Sequence, residues 1–276
     1  MNRNKIKRIL YKVMIYGLLL SLTVIVAYPF IWMILSSFKE SKEFYYMPPR
    51  LLPNAFTFVN YTQLIEMWNF GTYYFNSIFV TAVQVTANLF IVTLAGYGFA
   101  KYNFRGKNFF FLLIISCTMI PWIATIIPLY IMFTGLMNTY LGLMIPGMAS
   151  AFSILLARNF IAGIPTTFIE AARIDGAGEG RIFLRIVLPS IKPVLAVITI
   201  NKMIQSWNAF TWPLLVVNSD SLRTLPLAIA KLSSQYYDSY DLKMAAATMT
   251  ILPVLILYIS LQKYFVEGVA LSGVKG

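Results

Sequence analysis

Six stretches of about twenty mostly apolar residues dominate the chain: 13–35, 76–99, 109–133, 141–161, 193–217 and 244–265. A helix of about twenty residues crosses the hydrocarbon layer of a bilayer. Only helices and closed barrels satisfy their own backbone there, and runs of this length select helices. Charged residues make up 12% of the chain, against about 25% in a soluble domain. The expected fold is an all-α membrane protein of about six transmembrane helices, one transmembrane domain over residues 1–276. Pro29, Pro121, Pro128 and Pro146 fall inside the runs; neighbouring helices or a cavity can take up the freed carbonyls. The first run could be a cleaved leader, but it continues past Pro29 to Trp32 and Leu35. A leader core is about 7–15 residues long, so a retained helix fits better.

The net charge of +12 is an orientation signal and not a nucleic-acid surface. Six spans put both ends on one side. That side, with the loops at 101–107 and 158–192, holds fifteen basic and four acidic residues; the other holds six of each, and Lys202 lies within a span. Positive charge marks the cytoplasmic face. Both termini and the 163–192 loop are therefore expected in the cytoplasm of a multi-pass plasma-membrane protein of bacterial type.

There is no histidine, and the one cysteine, Cys117, lies in an apolar run. This leaves no disulfide framework, no cysteine metal cluster and none of the usual triads. No acid falls within a span, which argues against the intramembrane carboxylates of ion-coupled carriers. It also argues against a membrane-embedded hydrolase or transferase. No G-x-x-x-x-G-K-[ST] phosphate loop is present, so energy for active transport would come from another subunit. The expectation is a chain with no cofactor of its own and no catalytic residue.

One long polar segment interrupts the apolar pattern, Pro165 to Pro189. Thr167 and Glu170 have capping-box spacing. Phe168, Ala171, Ala172 and Asp175 follow at intervals that share one helix face. Gly176 is placed to end that helix in a left-handed turn. A second short helix, about Arg181 to Val187, runs to Leu188-Pro189, where proline stops or kinks it. An amphipathic hairpin on the membrane surface is one reading. Asp175, at the helix end where the dipole disfavours an anion, points instead to a partner.

The fifth span holds a dense polar and aromatic patch: Asn201, Lys202, Gln205, Ser206, Trp207, Asn208 and Trp212. Sugars suit such a surface, with hydroxyls on amides and C–H faces on rings. Helix–helix glue with an interfacial tryptophan belt is the other reading. A mid-span cation such as Lys202 faces a bundle interior or water, or snorkels outward. Trp122, after Pro121, lines a helix break or packs in the core. Tyr236, Tyr237 and Tyr240 sit in the last outer loop, suited to an external protein or to the membrane interface.

The polar segment resembles the EAA loop of ATP-binding-cassette (ABC) importer permeases: Glu170-Ala171-Ala172, three residues, Gly176, nine residues, then Ile186-Val187-Leu188-Pro189. Other stretches resemble the carbohydrate, maltose-type branch. These are Pro29–Met33 running into Ser36–Lys39, Leu94–Ala100, Trp207-Asn208, and the ending Gln262–Gly268 with Gly273–Gly276. The resemblance covers nearly the whole chain. It implies a carbohydrate permease, for an oligosaccharide or disaccharide, forming half of a translocation pathway. A second permease would supply the other half, with two cytoplasmic ATP-binding subunits using ATP and Mg and an extracytoplasmic sugar-binding protein. Glu170, Ala171, Ala172, Asp175, Gly176, Ile186, Leu188 and Pro189 would couple to the ATPase; Asn201, Lys202, Gln205, Trp207, Asn208, Trp212 and Trp122 would line the substrate path. The pattern after Trp207-Asn208 usually continues with an acid, and here Ala209 replaces it. An ion-gradient-driven sugar carrier is the alternative.

Overall fold

The computed structural model describes residues 3–67, 69–235 and 239–273. All its regular structure is helical. Tyr236 and Tyr237, like Val274, Lys275 and Gly276, lie outside the described residues. Three helices are by themselves long and apolar enough to cross a membrane, and three bent pairs raise the number to six if each makes one crossing. The chain divides into two compact units, residues 1–69 with 229–251 and residues 70–228 with 252–276.

In the first unit, α1 (Arg3–Ser36) carries Pro29 inside it. The stretch expected to be a bare loop from Ser36 to Tyr74 instead folds. It contains a 3₁₀ turn, Ser41–Tyr45, and α2, Val59–Met67. Phe38 anchors it through ring contacts with Phe56, Phe58 and Tyr61. Lys39 is buried at 2% exposure. Its ammonium donates to the Arg50 carbonyl at 2.6 Å and lies 4.3 Å from the Trp32 ring centroid. Burial pushes the Lys39 amine below its ordinary value, with the nearby Glu43 opposing. Asn60 donates to the Ser37 and Lys39 carbonyls, which ties α2 to the turn after α1. Later in the same unit, Tyr240 opens α14 (Tyr240–Gly273) and stacks on Phe44 at 6.1 Å.

The second unit is built on α3 (Phe70–Lys101). It begins six residues before the expected span. Three further spans depart from straight helices. The third is α4 (Lys107–Met119) and α5 (Trp122–Met132), bent by 107°. Pro121 forces the preceding residue out of helical geometry, and Ile120 is extended at ψ 119°. Pro128, by contrast, sits inside α5 without breaking it. The fourth is α6 (Tyr140–Met144), a 3₁₀ turn through Pro146, and α7 (Ala151–Ala162), bent by 44°. The fifth stops at Trp207 in α11 (Lys192–Trp207) and resumes as α12 (Thr211–Val216). Helices α8 (Thr166–Ile174), α9 (Glu179–Ile182) and α10 (Leu188–Ser190) lie between α7 and α11 in the chain, and α13 (Leu225–Gln235) follows α12.

These breaks expose carbonyls that water cannot reach inside a bilayer. Side chains of α3 meet them. Asn76, Ser77, Thr81, Gln84 and Asn88 are all buried, and the last four recur at i, i+4, i+7, i+11 on one face. Gln84 donates to the Leu143 and Met144 carbonyls, each at 3.1 Å, and Asn88 to Met148. Asn76 donates to Ser221 and Arg223 and accepts from Tyr140. The Ser77 hydroxyl accepts from Leu225 N–H at 2.7 Å. Trp212 Nε1 donates to the Gly142 carbonyl at 2.9 Å. Small residues bring α3 against α7: a Cβ on Gly96 would stand 3.0 Å from Ala157 Cβ, the close approach that membrane helices use.

Gly142 tests this packing most severely, because a Cβ there would stand 2.2 Å from the Leu136 carbonyl oxygen. Gly142→Ala is expected to destabilise the purified protein by about 1–3 kcal/mol, read as a lower Tm. Gly98→Ala, which meets nothing within 4 Å, should not lower it.

Candidate functional site

Two sets of sequence-selected residues come together, both within the second unit. The first is the polar segment after α7. Helix α8 spans Thr166–Ile174, with Pro165 as its N-cap and no side-chain capping bond. The expected Thr167–Glu170 capping box is therefore absent. Proline sets the entry two residues early and leaves Thr167 inside the first turn. At the other end Gly176 has φ +77°. Ala177 N–H bonds to the Ala172 carbonyl and Gly176 N–H to Arg173, the two bonds of a Schellman ending.

The second short helix also differs from expectation. It runs from Glu179 to Ser190 as α9 (Glu179–Ile182), a π turn over Phe183–Val187, and α10 (Leu188–Ser190). Pro189 does not stop it. The wider π turn lies where the proline ring would meet the carbonyl four residues back, and the Ser190 hydroxyl takes the Ile186 carbonyl at 2.6 Å. The break comes at Ile191, with an 80° bend into α11.

The expected face of α8 splits. Ile169, at 1% exposure, and Ala172 pack on a core with Ile161, Ile182, Val187 and Ile191. Burying an isoleucine of this kind contributes about 1.5–3 kcal/mol. Glu170, Ala171, Asp175, Gly176 and Pro189 are exposed, while Ile186 and Leu188 are half-buried. Phe168, Ile174 and Leu184 are exposed at 61%, 86% and 63%, large apolar side chains left uncovered by this chain.

Residues that the motif did not select hold this segment. Glu179 accepts from Arg173 at 2.6 Å, from the Tyr97 hydroxyl at 2.9 Å and from the Tyr102 hydroxyl. Lys101 donates to the Ala162 and Ile164 carbonyls at the end of α7. The foot of α3 and the residue after it therefore hold the segment at its start and at its middle. Tyr97 lies within the Leu94–Ala100 stretch that carried part of the resemblance, which was the available signal. Arg173 beside it, then Tyr102, hold the Glu179 carboxyl down to about 2.

The second set surrounds a cavity of about 550 Å³. Lys202, Gln205, Trp122 and Trp212 line it, together with Gln84, Ser206, Ala209 and Thr224. Trp122 and Trp212 meet edge to face at 6.4 Å. Three expected residues lie off the wall. Asn201 is exposed and accepts from Gln205 at 2.6 Å. Trp207 is buried edge-on to Tyr74. Asn208 caps α11. The contributions of Gln84 and Thr224 were missed, although the polar spacing along α3 was a signal for the first.

Helices long enough to cross a membrane, a cavity among broken ones and a polar two-helix loop together suit a membrane permease. The chain matches the family "Binding-protein-dependent transport system inner membrane component" over residues 92–270 and belongs to it. It is 36% identical to the arabinooligosaccharides transport system permease protein AraQ of Halalkalibacterium halodurans over 257 residues, covering 91% of this chain and 92% of that one. It is 32% identical to AraQ of Bacillus subtilis (strain 168) over 271 residues, with 96% of each chain covered. Its fold is similar to a bacterial ABC transporter involved in the import of the acidic polysaccharide alginate, with TM-score 0.83 at 27% identity, covering 96% of this chain and 99% of that one. The protein is thus a multi-pass cytoplasmic-membrane permease of the ABC carbohydrate-importer type, and the ion-gradient-driven alternative is set aside.

The Glu179 tether has a pH signature. An unfolded glutamate titrates near about 4.3, and Glu179 is held at about 2. Its stabilisation is therefore complete above about pH 5 and lost as pH falls toward 2. Hydrogen exchange over residues 172–182, compared at each pH with Glu179→Gln, should show an excess protection in the wild type that disappears across that window. A difference that stays constant with pH would contradict the tether.

Proposed function

We propose that this chain is half of the translocation pathway of an ATP-driven oligosaccharide or disaccharide importer, and that the Thr166–Ser190 segment couples it to a separate ATPase. The observation that carries the reading is the exposed apolar side chains of the segment, Phe168, Ile174 and Leu184, on helices tied through Glu179 to Tyr97 of α3 and to Tyr102. Such a patch is shaped to sit in another protein's groove, and the anchoring makes it able to transmit a push.

The remaining parts follow from the same reading. A second, similar permease completes the pathway. Two cytoplasmic ATP-binding subunits use ATP and Mg, this chain supplying no ATPase site and no metal site. An external sugar-binding protein delivers cargo, as the relatives named for arabinooligosaccharides and alginate support. Residues 1–276 act as one transmembrane domain, with both termini and the coupling segment cytoplasmic on the positive-inside pattern. Closure of the ATPase on ATP draws the coupling helices together and favours the outward-open state. The two states differ in free energy only through such differential contacts. The cavity lined by Lys202, Gln205, Trp122 and Trp212 is this chain's part of the substrate path.

Purification of the tagged chain from its native membrane should bring a second six-helix permease and an ATPase. Gly176→Pro replaces φ +77° with a ring fixed near about −65°. It should lower ATP-driven uptake at least tenfold in proteoliposomes with membrane insertion intact. Gly178→Ala, with nothing within 4 Å and φ −69°, should transport normally. Normal uptake by Gly176→Pro would remove the coupling role.

A further inference from the structure

The cavity wall is electrically unbalanced. Lys202 is 8% exposed and lines the cavity, and its ammonium has no hydrogen-bond acceptor or carboxylate partner among the described residues. No acid stands on the wall. Ala209, the residue after Trp207-Asn208, is itself a wall residue. This chain's wall thus carries a positive charge and no negative one. A second polar group waits unpaired on the same wall: the Thr224 hydroxyl is buried without a partner.

A cation that lines a cavity with no counter-charge on its wall calls for an anionic partner, and buried polar groups are normally bonded. A mid-membrane cation of this kind marks a pathway. The other wall groups suit a pyranose: Gln84, Gln205 and Ser206 for hydroxyls, Trp122 and Trp212 for C–H faces. The volume, about 550 Å³, lies within the range of small-molecule pockets.

We infer that the cargo is an acidic oligosaccharide, whose uronic-acid carboxylate pairs with Lys202 as the sugar passes. This rests on the carbohydrate-permease reading above. One unbalanced lysine matches one carboxylate per bound sugar; a phosphate ester, at about −1.5 to −2, would leave excess negative charge. Charge-assisted pairing is stronger and shorter than a neutral hydrogen bond, so a neutral sugar would forgo the stronger contact.

The test uses the complete importer, with both permeases, ATPase and binding protein, in proteoliposomes. Labelled galacturonate, glucuronate and mannuronate trisaccharides are compared with the same trisaccharides reduced from carboxylate to alcohol. At least one uronate should be taken up in preference to its reduced form. Lys202→Met should lower that uptake at least tenfold, and Lys202→Arg should keep most of it. Ala209→Asp, which places an acid on the wall, should lower it as well, and this variant decides the matter if Lys202→Met fails to assemble. Preference of the wild type for reduced forms, or uronate uptake within twofold of wild type in both Lys202→Met and Ala209→Asp, overturns the inference but leaves the carbohydrate permease standing. An importer whose ATPase is stimulated by a non-sugar solute and by none of the trisaccharides overturns both.

Discussion

A broken helix in a bilayer leaves carbonyls that must find donors inside the protein. The structure depends on how that demand is met here. Helix α3 supplies the donors from one polar face, and each bond has a specific recipient: Gln84 for the end of α6, Asn88 for the turn beyond it, Asn76 for the strandless link at Ser221 and Arg223. Trp212 does the same for Gly142 from the opposite side. Without these bonds the breaks would be too costly to keep, and without the breaks there would be no cavity between α5, α6 and α12.

The same requirement explains what the sequence could and could not reveal. The apolar runs and the left-handed turn at Gly176 were legible, since each follows from the local chain alone. The 107° bend at Pro121 was not, because Pro121 and Pro128 look alike in sequence. Only Pro121 becomes a helix boundary, while Pro128 is carried inside α5. The helix over Val59–Met67 was hidden by its short, mixed pattern, and it is fixed by nonlocal partners, Asn60 reaching back to Ser37 and Lys39. On α8, spacing alone joined Phe168 and Ala172 to one face. The core takes Ile169 with Ala172 and leaves Phe168 outside.

The candidate site was legible in the same uneven way. Lys202 and Gln205 are three apart on α11 and share the wall, whereas Asn201 and Trp207 turn away. Trp122 and Trp212 are ninety residues apart in sequence, and only the fold brings their rings to 6.4 Å. The tether on Glu179 joins residues from three places in the chain, two of them tyrosines with no distinctive spacing to the loop they hold. Contacts of that kind lie beyond any local pattern.

Helix α3 carries both the tyrosine that grips the loop and the glutamine that closes the break at the cavity. Tyr97 and Gln84 are thirteen residues apart, about 20 Å along a rigid rod at about 1.5 Å per residue. A tilt of only about 5° pivoting at Tyr97 would sweep Gln84 sideways by about 1.7 Å. The bonds from Gln84 are 3.1 Å long and cease to be hydrogen bonds by about 3.6 Å. The slack is smaller than the sweep. The broken segment must therefore travel with α3 as one body, or else release its carbonyls into hydrocarbon.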